Sequence, residues 1–125
     1  MTSTDAAHGA RRADELLGLL AGDDPDAADR LLAGLTEVRD LVFVGAALTA
    51  VARSEGRRLP PAQRAQANTR QMHLGLLRDS HRADPAGLRT WLRRAGDEVL
   101  FLRSLQATAA ARVAADEPRH QRMRG

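Results

Sequence analysis

The stretch Leu41-Val42-Phe43-Val44-Gly45-Ala46-Ala47-Leu48-Thr49-Ala50-Val51-Ala52 is the longest apolar run of the chain, broken only by Thr49. Two rows of apolar or small residues at helical spacing pass through it. One joins Leu31, Leu35, Val38, Val42, Gly45, Thr49 and Ala52 at steps of 4 and 3, and the second, Leu41, Val44, Leu48 and Val51, lies beside it. Adjacent rows leave residues 41–52 apolar on nearly every side, the pattern of a helix surrounded by other helices. A helix of this length spans about 18 Å, short of the ~30 Å hydrocarbon core of a bilayer. Asp40 and Arg53 also close its two ends. The run therefore reads as the central buried helix of a bundle, and no membrane partner is expected.

Working outward, Asp24-Pro25 is an N-cap followed by a proline at the first helical position. The central helix is accordingly expected to run from Pro25 to about Glu55. Upstream, Leu16, Leu17, Leu19 and Leu20 mark a first helix from near Ala10 to Ala21, capped by Gly22, with residues 1–9 expected to be disordered. Downstream, Pro60-Pro61 opens a third helix to about His81, whose first half, Gln63 to Gln71, is almost wholly polar and must lie on the surface or project past the core. Asp84-Pro85 opens the last helix. Its row Leu88, Leu92, Ala95, Val99, Leu102, Gln106, Ala109 and Val113 keeps a strict alternation of 4 and 3 across Gly96. One helix to Ala115 is expected, with Gly96 the place for a kink, and a disordered basic tail over 116–125. The fold expected is all-α: a four-helix bundle of two antiparallel α-hairpins, short–long and short–long, occupying residues 10–115.

Composition supports the same class. Among 125 residues the aromatics are Phe43, Trp91 and Phe101 alone, and Ala, Leu and Arg dominate, which are strong helix formers. Trp91 and Phe101 are expected to face the core. The chain has no cysteine, which removes disulfides, thiolate nucleophiles and cysteine zinc sites. The first ten residues lack the apolar segment of a signal peptide, and a cytoplasmic location is expected. All 19 basic residues are Arg, so Walker-type phosphate loops and Schiff-base chemistry have no lysine to use. Charge is unevenly spread: residues 1–50 hold four Arg against nine acids, and residues 51–125 hold fifteen against seven. Such a dipolar chain is suited to steering partners or to head-to-tail association.

Candidate chemistry is sparse. His73 and His81 are eight residues apart, not the four that puts two ligands on one helical face, and no metal or cofactor is expected. Asp14/Glu15, Asp23/Asp24/Asp26/Asp29, Asp97/Glu98 and Asp116/Glu117 read as helix-end charges. No carboxylate is expected inside an apolar row; Glu37 and Asp40, flanking the central helix, are the nearest. No serine has a nucleophile-elbow context. The one pattern is arginine: Arg53, Arg57, Arg58, Arg64, Arg70, Arg89, Arg93 and Arg94 form a candidate anion- or nucleic-acid-binding set, since guanidinium forks match phosphate oxygens. The same arginines could instead pair with the acidic first fifty residues. Three readings follow. The first is a non-enzymatic interaction module or accessory subunit that binds a protein partner or itself. The second is a protein that binds nucleic-acid backbone, and the third an anion binder or enzyme with a pocket inside the bundle.

Overall fold

Each proline that marks a helix start in the sequence starts one in the structure, a computed structural model that describes the backbone of residues 2–124 and the side chains of residues 4–116. The helices are α1 (Thr2–Ala21), α2 (Pro25–Ala33), α3 (Val38–Arg57), α4 (Pro61–Ser80) and α5 (Pro85–Arg124). No strand occurs among the described residues. Asp24 caps α2 by accepting from the Ala27 N–H at 3.1 Å, and Asp84 accepts from the Ala86 N–H at 3.2 Å at the start of α5. No helix is long and apolar enough to cross a membrane.

The all-α class is as expected, but the expected second helix is two. Its path breaks after Ala33, where the Gly34 N–H closes α2 onto the Arg30 and Leu31 carbonyls, and Glu37 is extended (φ −94°, ψ 136°) before α3 begins. Glycine, then Thr36 with its branched β-carbon, weakens the helix locally. Leu35 meanwhile tucks into the core at the corner. Its carbonyl, left without a helical partner, accepts from Arg89 Nη1 at 3.0 Å. The row that crosses the break is consequently not the buried one. Val42 is 49% exposed, and α3 faces the interior with Leu41, Val44, Gly45, Leu48 and Ala52.

The helix ends also differ. The first helix begins at Thr2 rather than near Ala10, held along its length by the Asp5–Arg39 ion pair and by Gly9 lying directly against the Phe43 backbone. The residue in the left-handed region after α1 is Asp23 (φ 56°), not Gly22; aspartate is among the residues that tolerate it. The last helix is continuous through Gly96 and runs to Arg124 rather than Ala115. Met1 and Gly125, the outermost residues of the two expected tails, lie outside the described residues.

Helix direction follows from register. Asp5 meets Arg39 and Gly9 meets Phe43, both 34 positions apart, so α1 and α3 run the same way. Gly45 meets Trp91, and Glu55 meets Arg103 and Gln106, so α3 and α5 also run the same way. Three co-directed helices pack pairwise into a triangle. The short α2 returns the chain along α1 and α5, and α4 returns it along α5 and α3, reaching neither α1 nor α2. The arrangement is therefore five helices in alternating direction, not two antiparallel hairpins. Leu16, Leu41, Val44, Leu48, Leu88, Leu92, Val99 and Leu102, each under 2% exposed, fill the triangle.

Two glycines set its width. A β-carbon on Gly45 would lie 2.0 Å from Trp91 Cη2, and one on Gly96 would lie 2.7 Å from Leu20 Cδ1. The rigid, buried indole cannot retreat as a leucine methyl can. Gly45→Ala is therefore expected to destabilise the fold by about 1–3 kcal/mol through overpacking, despite the helix propensity gained. Gly18 is the control, since a β-carbon there would have nothing within 4 Å: Gly18→Ala should stabilise by up to about 1 kcal/mol. Urea unfolding of both variants checks the pair, and equal stability of Gly45→Ala and the parent would refute the close contact.

Candidate functional site on the fourth helix

Helix α4 is unlike the others. Ala67 is its one buried residue, and it rests on α5 and α3 without entering the triangle. Leu74 and Leu77 pack half-buried against the core from its inner side, and an ion pair ties it there. Glu98, 6% exposed in the middle of α5, takes the Arg70 Nε with both oxygens, at 2.8 and 2.9 Å. The Arg70 guanidinium lies over the Phe101 ring, 4.1 Å from its centre, a cation–π arrangement. Glu98 corrects the expectation that no carboxylate enters an apolar row. It reads as one of a helix-end pair only if a break at Gly96 is allowed; in the continuous helix it sits one turn from Ala95 and Leu102, both buried. The hydrogen bond and then the charge of Glu98 raise the Arg70 pKa further above an already high ordinary value, with burial opposing. Arginine is thus fully charged at any working pH. A raised folded-state pKa stabilises below the unfolded value and loses its effect only as pH climbs through the folded one, so this side of the pair brings no pH dependence near neutrality.

The eight candidate arginines do not form one surface. Arg93 bonds Asp29 at 2.8 Å, joining α5 to α2, and also faces Asp97 at 3.7 Å. Arg89 holds the Leu35 carbonyl, and Arg70 is spent on Glu98. Arg57 donates to the Arg53 carbonyl at 3.3 Å and Arg64 to the Leu59 carbonyl at 3.0 Å, around the α3–α4 turn. Among the described residues Arg53, Arg57, Arg58, Arg64 and Arg94 have no carboxylate within ion-pair distance. The first four sit near that turn, while Arg94 stands on the far side of α4.

Between α4 and α5 runs an open groove of about 520 Å³, walled by Arg70, His73 and Leu77 on one side and Arg94, Asp97 and Phe101 on the other. It lies on the outside of the bundle, and its charges nearly balance. His73 is exposed there, whereas His81 packs its ring against Gly87 and faces Asp84 at 3.5 Å. Among the described residues no three histidine, aspartate or glutamate side chains gather where a metal could be held.

The outer side of α4 carries a pattern that sequence reasoning missed. Ala62, Ala65, Thr69, Met72 and Leu76 recur at steps of 3 and 4, and all are exposed, Met72 by 66% and Leu76 by 61%. The spacing is that of a coiled-coil seam. The signal is present in the sequence, but it is masked by Leu74 and Leu77 on the inner side, which make the second half of the helix look like ordinary core. Gln66, Asn68 and His73 flank the seam, and Asp79 continues its spacing beyond Leu76.

No family model, curated protein or solved structure matches the chain.

If Arg70–Glu98 is what docks α4, Arg70→Met should cost about 1–3 kcal/mol, below the usual loss for a fully buried pair because Arg70 is 43% exposed. The double variant Arg70→Met/Glu98→Leu should recover most of that loss. Strictly additive losses in urea unfolding would show that the two residues do not act as a pair.

Proposed function

We propose that this chain is a non-enzymatic interaction module, an accessory subunit or self-associating bundle in the cytoplasm, and that α4 is its docking element. The observation that carries the proposal is the pair of large apolar side chains, Met72 and Leu76, turned outward on a helix that lies outside the α1–α3–α5 triangle. Lone exposed apolar residues are ordinary on any surface. Here they belong to a five-residue seam flanked by Gln66, Asn68 and His73 and closed by Asp79, a pattern that a partner helix can read. The rest of the bundle supplies a stiff platform, since α1, α3 and α5 already bury one another.

The test is the size at which the chain travels in an extract of its own cells. The parent is expected well above 13.5 kDa. Met72→Glu/Leu76→Glu, which disturbs no buried contact, is expected near the monomer size with an unchanged unfolding midpoint. A parent that travels as a monomer would overturn the reading.

A second reading has its own observation: Arg53, Arg57, Arg58 and Arg64 lie about the α3–α4 turn with carbonyl partners at most among the described residues. Such a cluster suits nucleic-acid phosphates. On that reading, binding to a mixed-sequence oligonucleotide weakens steeply with salt. Arg57→Ala/Arg58→Ala/Arg64→Ala flattens the log–log slope by about 0.9 for each phosphate no longer neutralised. No mobility shift at low salt would remove it.

A further inference from the structure

We propose that the partner of the α4 seam is α4 of a second copy, packed antiparallel about a two-fold axis at the level of Arg70 and Gln71. This rests on the reading of α4 as a docking element and names its occupant.

Side-chain size rises along the seam. Ala62 and Ala65 occupy its first half, Thr69 its middle, and Met72 and Leu76 its second half, all exposed. A parallel pair would set alanine against alanine at one end, leaving a gap, and leucine against leucine at the other. An antiparallel pair instead sets Ala65 against Leu76 and Thr69 against Met72, and by symmetry the reverse, so each of these layers combines a small and a large residue. That is the interdigitation a tight helix pair requires. The register overlaps the whole of Pro61–Ser80, whose midpoint falls between Arg70 and Gln71. A two-fold interface must be self-complementary, and a size gradient that fits its own reversal meets that requirement.

Polar and charged groups allow the approach. Thr69 Oγ1 donates to the Ala65 carbonyl at 3.2 Å, so its hydroxyl is satisfied within its own helix and its methyl is left for the seam. Arg64, Arg70 and Arg78 lie on the inner sectors of α4: Arg64 on the Leu59 carbonyl, Arg70 on Glu98, and Arg78 beside Asp79. The reversal places Gln66 near His73 of the second copy and Asn68 near its Gly75, and it sets Asp79, the next residue of the row, at the rim against Ala62, with no like charges opposed. One helix pair about 30 Å long is at the small end of specific interfaces, so the dimer is expected to dissociate on dilution.

The native sequence has no cysteine, so single cysteines report orientation directly. Ala65→Cys and Leu76→Cys proteins, purified separately, mixed and oxidised, are expected to give mainly the mixed disulfide dimer, distinguished by intact mass. Homodimers of Ala65→Cys in excess would indicate parallel packing and overturn the proposal. Light scattering of the cysteine-free parent from about 1 μM to 500 μM, a range chosen to span the weak affinities of small interfaces, should show the mass doubling, and Ala65→Glu should abolish the rise without lowering the unfolding midpoint. A purified parent that stays monomeric throughout ends this proposal. If that same parent still travels as a complex in extract, the docking role of α4 survives with a different partner. If it is monomeric in both, both readings fail.

Discussion

The contact between Gly45 and Trp91 sets the spacing on which the bundle depends. The indole occupies the space a side chain on residue 45 would fill, so α3 and α5 approach with one ring between their backbones. Gly96 does the same for α1 against α5, where Leu16 and Leu20 lie over it. Each glycine weakens its own helix by about 1 kcal/mol relative to alanine, which close packing of large neighbours offsets. The consequence reaches further than the two contacts. Once α1, α3 and α5 share a direction and are drawn together, their leucines and valines saturate one another. A short α2 covers the α1–α5 side with Ala28 and Leu32, which leaves α4 a shorter apolar contact made by Ala67, Leu74 and Leu77.

That limited contact matches the composition of α4. A helix required only to bring the chain back from the end of α3 to the start of α5 can fully bury one alanine and attach through Leu74, Leu77 and the Arg70–Glu98 pair. A buried ion pair contributes less to net stability than an apolar contact of similar size, but it is demanding about geometry. It fixes how α4 is rotated about its own axis. With Arg70 turned toward α5, the residues on the opposite side, Ala65, Thr69, Met72 and Leu76, face outward. The ion pair and the outer seam are thus two results of one rotational setting.

Much of this was legible in the sequence. Proline after a capping residue marks the starts of α2 and α5, the row from Leu88 to Leu102 is buried as its spacing implies, and residues 41–52 supply the central helix. Three features were hidden, for physical reasons. The break at Gly34–Glu37 preserves the 4-and-3 spacing because a bend around Leu35 keeps apolar residues near the same corner of the core, so periodicity alone carries no sign of it. Val42 is exposed because so nearly encircled an apolar helix does not declare which row faces inward; the inward row is decided by Trp91 and Gly45. Glu98 was hidden because its partner lies 28 positions away on another helix. Of the site, the arginines were visible as a group, but their division between carboxylates, carbonyls and solvent depends on helix direction, which spacing does not encode.

Helix direction also revises what the uneven charge means. An acidic first half and a basic second half suggest a molecule with opposite poles, suited to stacking head to tail. Since α1 and α3 run the same way, however, the α1–α2 turn with Asp23, Asp24 and Asp26 and the α3–α4 turn with Arg57 and Arg58 emerge toward the same end of the bundle. Arg93–Asp29 and Arg39–Asp5 neutralise further charge within the chain. Opposite charges thus meet at one end of the bundle instead of being divided between its two ends. Head-to-tail contacts of this kind would not close and would propagate into open filaments. A two-fold pair instead closes on itself, and the reversed order of small and large residues along α4 suits that symmetry.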